Sequence, residues 1–188
     1  MLEVWEVELP AELPEGVAYV DIETEKVALE DPVPGFPRRW RPFLVGIASG
    51  RTLALIAGFE AELVAEVERR LTGREVRYAA TKRFDELVLT GRFTHARRAP
   101  LSEPGPWPAM AVDAVTWRNL GRLPAAYRAE DVPSREAPEA WNDDRAGLVL
   151  VHCLRDVVEL MAFDGFDPGW SRLVLGSNAV AEELLELA

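Results

Sequence analysis

The run Val17-Ala18-Tyr19-Val20-Asp21-Ile22-Glu23-Thr24 constrains this chain more than any other segment, because an apolar stretch with β-strand character ends in two carboxylates. Side chains alternate along a strand, so Asp21 and Glu23 share a face. Neighbouring carboxylates each raise the cost of ionising the other unless a cation sits between them. The nearest lysine, Lys26, points to the opposite face. Hard cations such as Mg²⁺, Mn²⁺ and Ca²⁺ take oxygen ligands, and paired acids at the end of a buried strand make a site for them. The same pair reads equally well as a solvated strand end, and Glu25, which continues the alternation, looks like ordinary surface.

Composition narrows the classes. With 188 residues the expectation is one domain, and no repeat, low-complexity tract or linker divides the chain. A hydrophobic fraction of 48% with six Trp supplies a core, and 28% charged residues argue against membrane residence. No apolar run approaches the roughly 18 residues of a spanning helix, and the acidic start MLEVWEVELP lacks a basic leader region. The single Cys153 forms no internal disulfide, which fits a reducing compartment. Cytoplasmic localisation is therefore expected, with Cys153 a small buried apolar residue. The net charge of −11 argues against a protein that coats nucleic acid with a uniformly positive surface. It does not exclude a nuclease, whose metal-binding acids are offset by their own cations.

Along the chain, residues 31–41 read as a long connection rich in Pro and Arg, then residues 42–48 and 52–57 as two strands joined by Ser49-Gly50-Arg51. Together with the first strand they make a three-stranded antiparallel start. Leu63, Val64, Val67 and Leu71 repeat with helical period over residues 60–71, and Gly73 supplies the stop. A fourth strand is expected over residues 75–80, followed by a helix over 82–90 capped by Thr81 and closed by Gly91. Strand, helix, strand, helix implies crossovers onto a partly parallel sheet. Residues 100–109 read as loop, 110–120 as mostly helical and 123–138 as irregular. Asn142, Asp143 or Asp144 can cap a helix reaching about Met161 whose apolar positions include Leu148, Val151, Leu154, Val158 and Met161. A last helix is expected over residues 178–187.

Two further segments extend the strand pair. Phe84-Asp85 falls one turn into a helix just after a strand, and His152 and Asp156 lie i, i+4 on one helix face. Each has an ordinary alternative. Helix first turns favour acids through the macrodipole, and His152, Arg155, Asp156 and Glu159 have the spacing of a solvated polar stripe. In joint order, Asp21, Glu23, Asp85 and Asp156 resemble the DEDD exonuclease branch of the ribonuclease H-like superfamily over residues 17–163, with residues 164–188 a helical extension. The resemblance implies an α/β fold with three antiparallel strands, then parallel strands, and flanking helices. It implies 3′-5′ hydrolysis of phosphodiesters with two ions, Mg²⁺ or Mn²⁺, one held by Asp21, Glu23 and Asp156. The other would be held by Asp21, with Asp85 acting largely through water, and His152 is the candidate to orient the attacking water.

The chain also departs from that pattern. In such exonucleases a general-base His lies five residues before the last Asp and an alternative Tyr four before it, and His152 has the tyrosine spacing. Glu25 stands where many relatives carry Gly, and Ala80 where Asn is common. A ribonuclease H-like module without catalysis, serving binding or assembly, is therefore one rival. A haloacid-dehalogenase-like phosphatase with Asp21 as nucleophile, and with Ser49, Lys82 and Asp143-Asp144 imitating its later motifs, is another. Against it, Glu23 stands where an acid/base Asp belongs, and antiparallel hairpins do not suit a fully parallel sheet. Nucleic acid is the expected partner, single strands or 3′ overhangs foremost. Arg38, Arg39, Trp40 and Arg41 can hold phosphates and stack a base, or serve as a rigid connection whose Trp40 packs on the domain. Arg92, His95, Arg97 and Arg98 form a second basic cluster read as surface.

Overall fold

The strand carrying Asp21 and Glu23 is β2, Val17–Ala28, in a computed structural model that describes residues 1–28, 38–58, 60–80, 83–91, 110, 114–124, 135–143 and 145–166. β3 (Arg38–Ser49) and β4 (Thr52–Ala57) continue from it as an antiparallel meander, and β1 (Glu3–Glu8) pairs antiparallel with β4 at the sheet edge. On the other side of β2, β5 (Glu75–Tyr78) runs parallel to it and β6 (Thr116–Asn119) parallel to β5. The result is one six-stranded mixed sheet in the order β1-β4-β3-β2-β5-β6. Gly50, at φ +57°, takes the left-handed conformation that the tight β3–β4 turn requires.

Helices cover both faces. α1 (Glu60–Leu71) and α2 (Phe84–Leu89) bury Leu63, Val67, Leu71, Val88 and Leu89 against Val20, Ile47 and Ile56. α3 (Ala137–Asn142) and α4 (Ala146–Phe163) bury Leu150, Cys153, Leu154 and Val157 against Tyr19, Leu44, Leu53 and Leu55. A sheet covered on both sides explains why Val17 to Val20 is continuously apolar rather than alternating. Among the described residues no helix is long and apolar enough to cross a membrane.

Several expectations need correction. Residues 116–119 are a strand, not part of a helix: Thr116 and Trp117 suit a pleated surface, β5 offers a free ladder, and Trp117 packs edge-on against Tyr78 with ring centroids 5.9 Å apart. α4 starts at Ala146 behind Arg145 without a side-chain cap. Asn142 instead ends α3, donating its amide to the Pro138 carbonyl, and Asp143 follows it. Leu148, assigned to the apolar face, is 39% exposed. α2 begins only at Phe84, preceded by Arg83 at φ +59°, a conformation costly for a residue with a Cβ. Leu9 and Leu13 are buried, so the core begins before residue 17. Thr81, Lys82, Asp144, the loop at 100–109, the helix at 178–187 and the cluster Arg92, His95, Arg97 and Arg98 lie outside the described residues.

Candidate metal centre

Alternation along β2 delivers Asp21 and Glu23 to the face on which α4 packs. Just beyond Glu23 the pairing with β3 slips: Glu23 lies opposite Leu44 but Thr24 opposite Pro42, leaving Phe43 as an extra residue. Pro42 cannot donate to a ladder, so a bulge is where it fits. The irregularity re-aims the strand directly after its second acid. Across this face, α4 places His152 and Asp156 one turn apart on its sheet-facing side. The stripe of His152 and Asp156 is thus turned inward rather than solvated, with His152 only 3% exposed. α2 adds Asp85 from its first turn.

Asp85 and its neighbour Glu86 are both buried acids with different surroundings. Glu86 accepts from Tyr78 Oη at 2.6 Å and from Arg83 Nε at 2.7 Å, a set that also holds the strained Arg83 backbone in place. Asp85 faces the other acids. Burial, followed by the charge of Asp156, pushes its carboxyl up to about 8. Asp21 is raised well above the usual carboxylate range by burial, then by Asp156, Glu23 and Asp85, with a hydrogen bond from Cys153 opposing. Glu23 is raised by burial and then by Asp156 and Asp85. Burial, then Asp21, Glu23 and Asp156, push the Cys153 thiol up, which makes it an inert neighbour rather than a nucleophile. The structure therefore brings together the acids of three distant segments and makes Asp21, Glu23 and Asp85 expensive to ionise.

The donors fit a cation. Asp21 Oδ2 is buried without a hydrogen-bond partner, and so are both ring nitrogens of His152. Buried polar atoms in native proteins are rarely left in that condition. Nε2 of His152 sits 3.5 Å from Glu23 Oε1 and 3.6 Å from Asp156 Oδ2. Glu23, His152 and Asp156 present donor atoms all within 4.8 Å of one another, a group that could hold a metal ion.

Residues 38–41, expected as part of the connection over 31–41, belong to β3. Trp40 packs edge-on against Phe84 with centroids 5.3 Å apart, beneath the Lys26 ammonium 4.8 Å from its ring. Arg41 pairs with Glu25, which is half-buried rather than ordinary surface. Arg38 and Arg39 belong to β3, and their side chains lie outside the described residues. Three features escape a reading of the sequence: β1, the close approach of α4 to Gly46, and a half-buried clip in which Asp164 accepts from Tyr19 Oη and Arg77. Trp5 and Val7 alternating with acids before Leu9 were the available signal for β1; the other two join positions too distant in sequence for any local pattern. Comparison with family models, curated proteins and solved structures finds no match to this chain.

Proposed function

We propose that this chain is a metal-dependent 3′-5′ exonuclease with a ribonuclease H-like fold. The observation that carries the reading is the convergence of Asp21, Glu23, Asp85 and Asp156, acids from one strand and two helices, which makes Asp21, Glu23 and Asp85 costly to ionise without a cation. The sheet is compatible: the acid-bearing strand is central, with the antiparallel meander on one side and parallel strands on the other. That meander also favours this reading over the phosphatase, which needs a fully parallel sheet. Asp21, Glu23 and Asp156 would hold one ion, and Asp21 with Asp85 a second. Divalent ions in such a site lower the pKa of water and neutralise charge on phosphoryl and leaving oxygens. The chain's own part is to hold four carboxylates in one preformed cluster, so that little reorganisation is needed when substrate arrives.

The 3′ polarity is what the family resemblance implies. The single-strand preference rests on Arg38 and Arg39 of β3, the strand paired with β2, since Trp40 packs against Phe84 and Arg41 pairs with Glu25. A time course on end-labelled single-stranded and duplex DNA and RNA with Mn²⁺ tests both. Stepwise shortening from the 3′ end, abolished in Asp21→Asn, is the expected result. No cleavage by the wild type would favour the binding module without catalysis, and a phosphoryl-Asp21 intermediate would favour the phosphatase.

A further inference from the structure

His152 is one of two histidines in the chain and stands where an imidazole is costly unless something uses it. It is 3% exposed, its ring nitrogens have no hydrogen-bond partner, and its Nε2 points between two carboxylates. The separations of 3.5 Å to Glu23 and 3.6 Å to Asp156 exceed an ordinary N–H···O hydrogen bond. They correspond instead to edges of a coordination shell, since donors about 2.0 to 2.2 Å from one ion lie roughly 2.8 to 3.6 Å from each other in octahedral to tetrahedral geometry. Helix geometry supplies the rest. His152 and Asp156, four residues apart on α4, stack on one face and reach toward Glu23 from the same side.

We propose that His152 Nε2 is a ligand to the same ion as Glu23 and Asp156, so that the centre is a mixed nitrogen–oxygen site that selects first-row transition ions over Mg²⁺. Mg²⁺ demands near-ideal octahedral oxygen ligation and gives up water reluctantly, whereas an imidazole nitrogen adds affinity for transition ions. The inference deepens the metal-dependent reading and rests on it. It gives His152 the role of a ligand instead of a water-orienting base.

The test uses the full chain, stripped with EDTA and titrated calorimetrically with Mn²⁺ alone or Mg²⁺ alone, together with pulsed EPR of the Mn²⁺-loaded protein. The wild type should bind Mn²⁺ about tenfold or more tighter than Mg²⁺ and show hyperfine coupling to a directly bound ¹⁴N. In His152→Gln, whose amide oxygen can occupy the position, the nitrogen coupling should vanish and the Mn²⁺ preference should shrink to about threefold or less. Mn²⁺ bound without nitrogen coupling, or a preference unchanged in His152→Gln, would overturn the inference and leave the nuclease reading standing. Failure of the wild type to bind either ion would overturn both. The nitrogen signal is read on the wild type, so a variant that failed to fold would still leave a decisive result.

Discussion

Gly46 lies directly opposite Asp21 in the β2–β3 ladder, on the face that α4 covers. A Cβ at Gly46 would stand 2.7 Å from Val157 Cγ2 and 2.9 Å from Cys153 Sγ, both on α4. The missing side chain is what lets the helix settle close to the sheet. Cys153 then reaches Asp21, and the helical turns around it bring His152 and Asp156 within range of Glu23. A residue with no chemistry of its own sets the spacing of the acidic cluster.

Gly46→Ala should therefore be worse than its size implies. Overpacking a tight contact typically costs about 1 to 3 kcal/mol. Because the clash lies under α4, Mn²⁺ affinity should fall together with stability. Chemical denaturation and a Mn²⁺ titration measure the two. Full stability with unchanged Mn²⁺ affinity would mean that α4 is not seated by this contact.

Divalent ions should stabilise the fold, since they relieve carboxylate repulsion only in the native state. At a hundredfold excess over Kd the gain is about 2.7 kcal/mol, or roughly 5 to 10 °C in melting temperature for a chain of this size. For Asp21→Asn the order relative to the wild type should differ between EDTA and Mn²⁺. It removes one of the mutually repelling charges, so the ion-free variant should melt at or above the wild type while gaining little from Mn²⁺. Melting curves with EDTA and with Mn²⁺ check both halves, and a wild type indifferent to Mn²⁺ would argue against the centre.

What the sequence made legible and what it hid divide along a physical line. The β3–β4 hairpin and α1 follow from local signals, a tight turn between β-rich runs and a 3.6-residue apolar period. β6 did not, because four residues with mixed exposure take strand form only when β5 is beside them. Strand alternation alone puts Asp21 and Glu23 on one face. Nothing local says that Asp85 and Asp156 will meet them; that expectation came from the order of motifs, and in the fold it depends on Gly46, whose role appears only when α4 is laid on β3. His152 was legible as a polar residue one turn from Asp156, but its burial against Glu23 was not.

Glu66 gives a pH dependence with a definite sign. It accepts from Arg69 and Arg70, and Arg70 reaches on to Glu6 of β1, so the cluster ties α1 to the edge strand. The Arg69 hydrogen bonds above all, with those of Arg70, lower Glu66 from 4.5 to about 2. A carboxylate depressed in the folded state contributes stability above its unfolded pKa and loses it as pH falls through the folded value. Arg69 is largely exposed, so screening limits the effect to about 1 kcal/mol. Glu66→Gln should lose about that much at pH 7, and the difference from wild type should close between about pH 4.5 and about pH 2. Denaturant midpoints at pH 7 and pH 2.5 check this, and a gap independent of pH would show that packing, not charge, is at stake.

The clip at the far end of α4 makes a prediction with two independent readouts. Asp164 follows the last helical residue and accepts from Tyr19 Oη at 2.9 Å and from Arg77 at 2.5 Å, fastening α4 to β2 and β5. Asp164→Ala leaves the Tyr19 hydroxyl and a mostly buried guanidinium without that acceptor, which costs about 1 to 3 kcal/mol. Its second effect is spectroscopic. Burial first, then the hydrogen bond and charge of Asp164, raise the Tyr19 phenol to about 12, while Arg77 pulls it down. Removing Asp164 takes away the acceptor and charge that raise the phenol while Arg77, still paired with Glu75, stays beside the ring, so the Tyr19 phenolate should form at lower pH than in the wild type. Tyrosinate absorbance followed from pH 9 upward, against Tyr19→Phe to identify the transition, measures the shift. A loss of stability with no change in that titration would mean that Asp164 holds the helix end through Arg77 alone.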